Sequence, residues 1–207
     1  MARYTEAVCK LCRRERMKLF LKGAKCDTLK CPVERKPYPP GEHGRGRIRE
    51  SEYLLQLREK QKARRIYGVF ERQFQNLYRE ANRQPGITGE NLLRMLEQRL
   101  DNVIFRATFA ASRNQARQFV RHGHVLVNGK RVTIPSYQVR EGDVLTLGPK
   151  AQHNIVIRHN LDTLDRAVPA WLDVSSERLE ATVRGAPLRE QIDVPVREQL
   201  IVELYSK

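Results

Sequence analysis

The sequence predicts an α+β protein: a mostly helical first domain with a metal-bound N-terminal segment, followed by a second domain with a small antiparallel sheet. Apolar residues recur at helical spacing in several stretches between residues 51 and 106, which indicates consecutive amphipathic helices. After residue 123, short β-branched runs alternate with turn residues, which is typical of hairpins. All four cysteines lie within the first 31 residues, in a segment too small and too charged to fold alone.

These patterns divide the chain into three parts. Residues 1–49 form the metal-binding N-terminal segment and a basic loop. Residues 50–92 form a helical domain that residues 187–207 complete, and residues 93–186 form an inserted α+β domain. The final helical pattern, at residues 196–205, is acidic and amphipathic, so we expect it to pack back on the first helical domain.

The cysteine spacing predicts one shared metal site. Cys9, Cys12, Cys26 and Cys31 have the spacing C-x2-C-x13-C-x4-C, which suits four thiolates around one Zn²⁺. The same thiolates could hold an iron–sulfur cluster, and the spacing does not separate the two alternatives. Two disulfides are the weaker interpretation in a reducing cytoplasm. Because no general base or open coordination position stands out nearby, we expect a structural site.

Residues 37–49, PYPPGEHGRGRIR, predict a loop or extended arm because prolines and glycines replace any apolar periodicity. Its arginines are Arg45, Arg47 and Arg49. Guanidinium groups on such an arm can bind phosphate oxygens, and the alternative is a solvated basic loop. We interpret His43 as a loop residue rather than a catalytic one.

Three helices are predicted next. Ser51 has the position of an N-cap, and the first helix would bury Leu54, Leu55 and Leu57. The second ends at Pro85-Gly86 and the third begins at Thr88. Their predicted core residues are Phe70, Phe74, Leu77, Tyr78 and Ala81 in the second helix, and Leu92, Leu93, Leu96, Leu100 and Val103 in the third.

The inserted domain is predicted to open with a short helix and a hairpin. Ser112 and Gln115 have the capping-box spacing, so the helix should begin at Arg113. Gly123 suits a left-handed C-terminal residue, and Asn128-Gly129 suits a tight hairpin turn. Further strands are predicted at residues 144–147, 169–174 and 179–183, with a helix at 151–166. The sheet would then hold about five antiparallel strands, with Trp171 in the core.

Charge indicates a polyanionic partner. The net charge is +15 and the pI is near 10.1. The segments 1–50, 51–85, 86–160 and 161–207 carry net charges of +8, +4, +6 and −3, so the basic surface belongs to the first three quarters. Nucleic acid is the first expectation and an anionic membrane surface the second. Because no hydrophobic span or signal-peptide region is apparent, we expect a cytoplasmic protein without a membrane segment.

Six motifs carry a resemblance to a known family, in the same order and from end to end. They are CKLC…CDTLKC, PPGEHGRGR, LREKQKARRIYGVFERQF, TGENLLRMLEQRLDNVIFR, SRNQARQFVRHGHVLVNGKRVTIPSYQV and LIVELYSK. The chain resembles the bacterial small-subunit ribosomal proteins numbered four, here called the S-four family, in its four-cysteine, zinc-motif form. The core module at residues 99–145 also resembles the RNA-binding domain that recurs in pseudouridine synthases, a tRNA synthetase and a heat-shock protein.

The resemblance implies a non-catalytic constituent of the small ribosomal subunit. It implies binding to a helix junction in the 5′ domain of small-subunit ribosomal RNA, early in assembly. It also implies a place beside ribosomal proteins three and five, where Arg45, Arg47 and Arg49 lie near incoming mRNA and act in its unwinding. The interface with protein five affects translational accuracy, and some members repress translation of their own operon. No small-molecule substrate is implied.

Recognition of an RNA junction depends on shape, phosphates and 2′-hydroxyls, because the major groove of duplex RNA is too deep and narrow for side chains to read. We expect phosphate contacts from two places. The first is the helix that begins at Arg113 together with its hairpin, through Arg113, Arg117, Arg121 and Lys130, flanked by His122 and His124. The second is a cluster in the first helical domain, formed by Lys60, Lys62, Arg64 and Arg65. For each histidine, a structural or solvent-facing role is an equal alternative.

Two rival functions remain at this point. One is an RNA-modifying enzyme or a ribosome-associated factor that carries the same RNA-binding module. No carboxylate pair, Ser/His/Asp set or glycine-rich phosphate cradle is apparent to support catalysis. The other is a zinc-dependent DNA-binding regulator, which would need a helix suited to a major groove and usually a dimerisation surface. Neither feature stands out.

Overall fold

The computed structural model describes residues 3–46, 49–164 and 166–206. The chain forms two compact units: residues up to Leu92 together with those from Val194 onward, and residues Leu93 to Asp193. The first unit is helical, whereas the second combines helices with one antiparallel sheet, so the predicted α+β class is confirmed. In the described part of the chain, no helix is long and apolar enough to cross a bilayer.

The first unit contains five helices and two 3₁₀ turns in its described residues. The helices are α1 (Cys9–Glu15), α2 (Pro32–Arg35), α3 (Glu52–Tyr67), α4 (Glu71–Arg83) and α10 (Glu198–Tyr205), and the turns are Gly23–Asp27 and Glu42–Arg45. Helix α5 (Thr88–Glu97) begins in the first unit and ends in the second.

Helix α3 begins where the sequence predicted, because Ser51 Oγ accepts a hydrogen bond from the Leu54 amide at 3.2 Å. Its buried face differs from the prediction, since Leu55 is 43% exposed. The buried residues are Gln56, Lys60, Ala63, Ile66 and Tyr67. The reason is that α10 packs on α3 through polar as well as apolar side chains: Gln56 Nε2 donates to Glu203 Oε2 at 3.0 Å.

Helix α4 faces the core with three of its predicted residues, Phe74, Tyr78 and Ala81. Phe70 was also expected in this stripe, but it precedes the first turn and is 41% exposed. The rings of Tyr78 and Tyr205 are stacked with centroids 4.5 Å apart. Aromatic contact therefore joins α10 to α4.

The second unit contains four helices besides the end of α5, and one sheet, within its described residues. The helices are α6 (Leu100–Arg106), α7 (Arg113–Arg121), α8 (Pro149–Gln152) and α9 (Ile155–Thr163). The strands are β1 (Val125–Val127), β2 (Lys130–Arg131), β3 (Val144–Leu147), β4 (Leu172–Ser175) and β5 (Glu180–Val183). Their order is β2-β1-β3-β5-β4 with antiparallel neighbours throughout, which confirms the five-stranded antiparallel sheet.

Alternate residues of the central strands are buried, and these residues form the face of the sheet that packs on the helices. Val125 and Val127 of β1 are buried, and in the paired strand β3 so are Leu145 and Leu147. The core that these strands share with the helices and loops includes Leu100, Val103, Ile104, Phe109, Ala116, Val120, Ile157 and Trp171. Trp171 is therefore a core residue, as predicted.

Three predicted elements differ from the structure. The helix expected from Thr88 through Val103 is two helices, α5 and α6, because Arg99 between them is extended, with a ψ of 135°. The single helix expected at residues 151–166 is two helices, because Asn154 Oδ1 accepts from the Val156 amide at 2.9 Å and caps a new helix there. The strand expected at residues 169–174 begins only at Leu172. Its amide donates to the Pro169 carbonyl at 2.9 Å, which closes a turn before the strand.

The predicted hairpin turn is confirmed at Asn128 and Gly129, whose φ angles are +49° and +76°. The Asn128 side chain then fixes a second turn. Its Nδ2 donates to Asp143 Oδ1 at 2.8 Å, and its Oδ1 accepts from the Val144 amide at 2.9 Å. The β1–β2 turn is thus attached to the turn that starts β3.

Candidate nucleic-acid interface

Helix α7 begins at Arg113, as predicted, because Ser112 Oγ accepts from the Gln115 amide at 3.3 Å. The capping box is modified, however: Gln115 Oε1 accepts from the Ala111 amide at 2.6 Å, one residue before the N-cap. Of the three predicted stripe arginines, only Arg121 is exposed. The α7 arginines therefore do not form one continuous cationic row.

Arg117 lies in the interior of the second unit, where it is 6% exposed. Its Nη1 donates to Asp101 Oδ2 at 3.0 Å, and Arg99 donates to both oxygens of the same carboxylate at 3.1 and 2.9 Å. A buried guanidinium needs such an anion, because the low-dielectric interior replaces its hydration poorly. The prediction that Arg117 belongs to an exposed stripe is therefore wrong, and its expected phosphate contact has no support in this arrangement.

Arg113 has a packing role as well. Its Nε donates to Asn102 Oδ1 at 2.7 Å, and its guanidinium carbon lies 4.3 Å from the Phe105 ring centroid. Both partners belong to α6, so Arg113 joins the start of α7 to that helix.

Sequence patterns missed a second buried charge cluster, which is centred on Glu97. Arg106 donates to both of its carboxylate oxygens at 2.9 Å, and Asn102 Nδ2 donates to Oε2 at 2.7 Å. Glu97 is 1% exposed. No residue spacing marked this cluster, because the stretch 99–110 mixes charged and apolar residues and its complete burial is seen only in the structure. A charge buried in this way needs a partner.

One group of exposed basic residues in this unit lies at the end of α7 and on the edge strand β2. We call Arg121, His122, Lys130 and Arg131 the hairpin surface, and all four are exposed. Within the described residues, no salt bridge neutralises Arg121, Lys130 or Arg131. Arg131 was not among the predicted RNA-binding residues. The short strand β2 gave no periodicity that would have singled it out.

Gly123 is what allows Arg131 to lie against the end of α7. Its φ is +72°, the left-handed conformation that the sequence predicted. A Cβ built on Gly123 would stand 2.0 Å from Arg131 Nε, closer than atoms can approach. Arg131 Nη2 donates to the His122 carbonyl at 3.4 Å in this position. Glycine at this position therefore allows both the left-handed backbone and the close approach of the Arg131 guanidinium.

We expect Gly123→Ala to destabilise the protein by about 1–2 kcal/mol, because its left-handed backbone disfavours a side chain, and to displace the Arg131 guanidinium, which lies where the methyl group would stand. Gly129→Ala is the matched control: its φ is +76°, but nothing lies within 4 Å of a built Cβ. Thermal unfolding should change similarly in both variants, whereas RNA affinity should fall only for Gly123→Ala. Equal RNA affinities would remove Arg131 from the interface.

His124 is less suited than His122 to contact an anion. Its ring meets Phe119 edge-on, with centroids 6.0 Å apart. Partial burial, followed by the nearby His122 and Arg131 charges, lowers the pKa of His124 below its usual value. The lowered pKa favours the neutral imidazole, which supports the structural alternative for this residue.

Lys60 and Arg64, two of the predicted RNA-binding residues of α3, share one carboxylate. Lys60 Nζ lies 2.8 Å from Glu71 Oε1, and Arg64 Nη1 lies 2.7 Å from Glu71 Oε2. The Tyr205 hydroxyl also donates to Glu71 Oε1 at 2.8 Å. Lys60 is only 9% exposed. These charges thus connect α3, α4 and α10, and an RNA contact would have to compete with those pairs.

Lys62 and Arg65 are paired too. Lys62 Nζ lies 2.5 Å from Glu59 Oε1 and donates to the Pro195 carbonyl at 3.2 Å. Arg65 and Arg58 both bind the carboxylate of Glu15, whose side chain is 2% exposed. The predicted α3 cluster is therefore largely the electrostatic framework of the first unit.

The basic loop is more ordered than the predicted extended arm. Residues Glu42–Arg45 form a 3₁₀ turn, with Arg45 and His43 exposed. Arg49 is exposed and lies outside any helix or strand. The third predicted arginine, Arg47, lies outside the described residues.

The four cysteines line one pocket, and no disulfide joins any two of them. Cys12, Cys26 and Cys31 are buried, and the Lys22 amide donates to Cys26 Sγ at 3.4 Å. Burial, with a smaller contribution from neighbouring thiols, raises the pKa of Cys12 to about 11. Within residues 3–46, 49–164 and 166–206, no three His, Cys, Asp or Glu form a group that could hold a metal ion as they stand. Four thiols are suitable ligands for a metal ion, but in the described residues their sulfur atoms are not arranged as a coordination site.

Two family models match adjoining parts of the chain. The model described as "Ribosomal protein S4/S9 N-terminal domain" matches residues 3–97, and the model described as "S4 domain" matches residues 98–145. The hairpin surface lies within the second match.

Curated relatives match over the full length of both chains. Proteins named "Small ribosomal subunit protein uS4" from Acidothermus cellulolyticus, Frankia casuarinae and Pelotomaculum thermopropionicum are 63%, 60% and 58% identical to this chain. Each alignment covers 100% of this chain and 100% of the relative. This chain therefore belongs to the uS4 family of small-subunit ribosomal proteins, which are structural proteins and not enzymes.

Proposed function

We propose that this protein is a cytoplasmic, structural constituent of the small ribosomal subunit. It binds small-subunit ribosomal RNA at a helix junction of the 5′ domain and nucleates assembly there. The observation that carries this proposal is the full-length identity to relatives named as small-subunit proteins, combined with the S4-domain match.

The hairpin surface supports RNA as the ligand. Arg121, Lys130 and Arg131 present exposed, unneutralised charges at the end of one helix and on one edge strand. Cationic side chains at this density suit phosphate oxygens on a folded RNA, whose backbone carries the accessible shape information. The buried charge clusters keep α5, α6 and α7 in fixed relation, so the surface is pre-formed.

Binding measurements on the full chain test the class of ligand. We expect 5′-domain RNA of the small subunit to bind about 100-fold or more tightly than duplex DNA of equal length, because duplex DNA offers charge without the junction. Fluorescence anisotropy at several salt concentrations would measure both affinities. Equal affinities at every salt concentration would reject the proposal and leave a non-specific polyanion binder.

The basic loop is assigned to incoming mRNA in the same proposal, with ribosomal proteins three and five as protein neighbours. There it assists mRNA unwinding, and the contact with protein five affects translational accuracy. Support comes from the exposed Arg45 and Arg49 on the first unit. Crosslinking from residue 45 in assembled subunits should reach mRNA, and crosslinks to ribosomal RNA alone would make the loop a scaffold element.

The four cysteines are assigned to one structural Zn²⁺, with an iron–sulfur cluster as the alternative at the same thiols. Their shared pocket and the amide that donates to Cys26 support this assignment, because such hydrogen bonds stabilise thiolate charge. The metal would cross-link a segment whose buried hydrophobic residues, in its described part, are Cys12, Cys26, Cys31, Leu19 and Val33.

We expect elemental analysis of purified protein to find one metal equivalent per chain, and Cys9→Ser with Cys12→Ser to lose it. Absorption in the visible region separates the two metals, since zinc gives none and an iron–sulfur cluster does. Metal-free wild-type protein that keeps its folded N-terminal segment would overturn the assignment.

A further inference from the structure

The aromatic ring of Tyr38, in the first unit, contacts the guanidinium groups of two arginines. The Arg13 and Arg45 guanidinium carbons lie 5.0 and 4.7 Å from the centroid of the Tyr38 ring. Both distances are within the range in which a cation is attracted to the face of an aromatic ring. We call Arg13, Tyr38 and Arg45 the Tyr38 clamp.

The two arginines of the Tyr38 clamp are bound differently. Arg13, from α1, donates through Nε to the carbonyls of Lys36 and Tyr38 at 3.1 and 3.0 Å. It therefore fixes the backbone of the loop. Arg45 donates through Nη2 to the Tyr38 hydroxyl at 3.3 Å, and this is the one hydrogen bond of its side chain within the described residues. Arg45 is exposed, so its other donors are available to a ligand.

The backbone beside Arg45 is also restricted. A Cβ built on Gly44 would stand 2.0 Å from the Pro39 carbonyl oxygen. The 3₁₀ turn therefore packs directly against the loop backbone at Pro39. Gly41, which starts the turn, has a φ of +109°, a conformation that side chains disfavour. The turn is therefore held in place on the Tyr38 side before any ligand arrives.

The geometry points to Tyr38 as a positioning residue that holds the Arg45 guanidinium ready for a phosphate of an RNA strand. This inference rests on the proposed mRNA role of the basic loop and names the residue that makes it effective. An arginine that is already ordered loses less side-chain freedom on binding than a mobile one. The ring and hydroxyl hold one edge of the guanidinium, and the remaining donors suit the bidentate geometry that phosphate accepts.

Arg49 provides an internal comparison. It is also exposed, yet within the described residues it has neither a ring contact nor a hydrogen bond. If pre-positioning matters, Arg45 contributes more than Arg49 although their charges are the same. If charge alone matters, the two arginines are equivalent.

The test uses small subunits reconstituted with full-length variants. Ribosomes built from these subunits translate one message with a stable hairpin and one without structure. We expect Tyr38→Leu and Arg45→Ala to slow passage through the hairpin about two- to tenfold, the range expected for disordering one arginine. Tyr38→Phe should keep most of the wild-type rate because the ring remains. The double variant Tyr38→Leu with Arg45→Ala should be no slower than Arg45→Ala. The unstructured message supplies the reference rate, so each loss is expressed as the ratio of the two rates.

The outcomes separate the inference from the function on which it rests. Wild-type rates for Arg45→Ala would reject the mRNA role of the loop. A slow Arg45→Ala with a wild-type Tyr38→Leu would keep that role and overturn the positioning by Tyr38. Should Tyr38→Leu fail to enter subunits, Arg45→Lys tests the same point with Tyr38 intact. It keeps the charge but loses the planar guanidinium, so a wild-type rate for it would overturn the inference.

Discussion

Asp101→Asn should lower the free energy of unfolding of the second unit by about 3–5 kcal/mol, because it leaves two buried guanidinium groups without their anion. Arg99 is 1% exposed and Arg117 6%, and both bind this one carboxylate. Asparagine has nearly the same size as aspartate, so the substitution removes charge without opening a cavity. The loss is large because a buried cation can neither leave the core nor be hydrated there.

Trp171 gives a direct measurement of this effect. It is the single tryptophan of the chain, it is 3% exposed, and it lies in the core of the second unit. Its fluorescence during urea denaturation therefore reports on the unit that contains Asp101. A midpoint that shifts by less than the equivalent of about 1 kcal/mol would mean that water or rearrangement already neutralises the buried arginines.

Asp173→Asn is the matched control in the same unit. Asp173 pairs with Arg184 at 2.7 Å, but both side chains are more than half exposed. Exposed pairs contribute at most about 1 kcal/mol, so this variant should unfold close to wild type. The comparison isolates burial, because the chemical change is identical in the two variants.

Burial also explains how far the sequence could predict the site. Periodicity and capping correctly located α3, α7, the Asn128-Gly129 turn and the five-stranded sheet, because these depend on local residue preferences. Arg117 was misinterpreted because helical spacing gives the angle between side chains but does not show how wide the buried face is. Helix α7 packs against α6 over an arc wide enough to enclose Arg117.

The contacts of the first unit were beyond local patterns for a related reason. Lys60 and Arg64 meet Glu71, Arg65 meets Glu15, and none of these pairs could be read from a helix face alone. Arg131 shows the opposite error, because an exposed residue without a salt bridge in the described part of the chain was left out of the predicted RNA-binding residues. Its position depends on Gly123, which has no side chain to occupy the space of the Arg131 guanidinium. Such pairings between separate elements are set by tertiary packing, which a single sequence does not reveal.

Lys130→Ala with Arg131→Ala should weaken binding to 5′-domain RNA about tenfold or more and reduce the log–log salt slope by on the order of one unit per lost phosphate contact. Both residues are exposed on the edge strand β2, so their removal should leave the fold intact. Arg117→Ala, by contrast, should destabilise the second unit, so its effect on RNA binding would be indirect. Anisotropy titrations in 50–300 mM salt, a range of about sixfold, would give both quantities.

The other edge of the same sheet supplies the control. Arg178→Ala with Arg184→Ala removes two arginines from the β4–β5 hairpin region, and β4 is the edge strand opposite β2. Net charge falls equally in the two double variants, so any general attraction to a polyanion changes equally. A lower salt slope for the β2 variant alone places phosphates at the hairpin surface. Equal losses from both edges would mean that RNA senses only the total charge of the unit, and the hairpin surface would then have no special role.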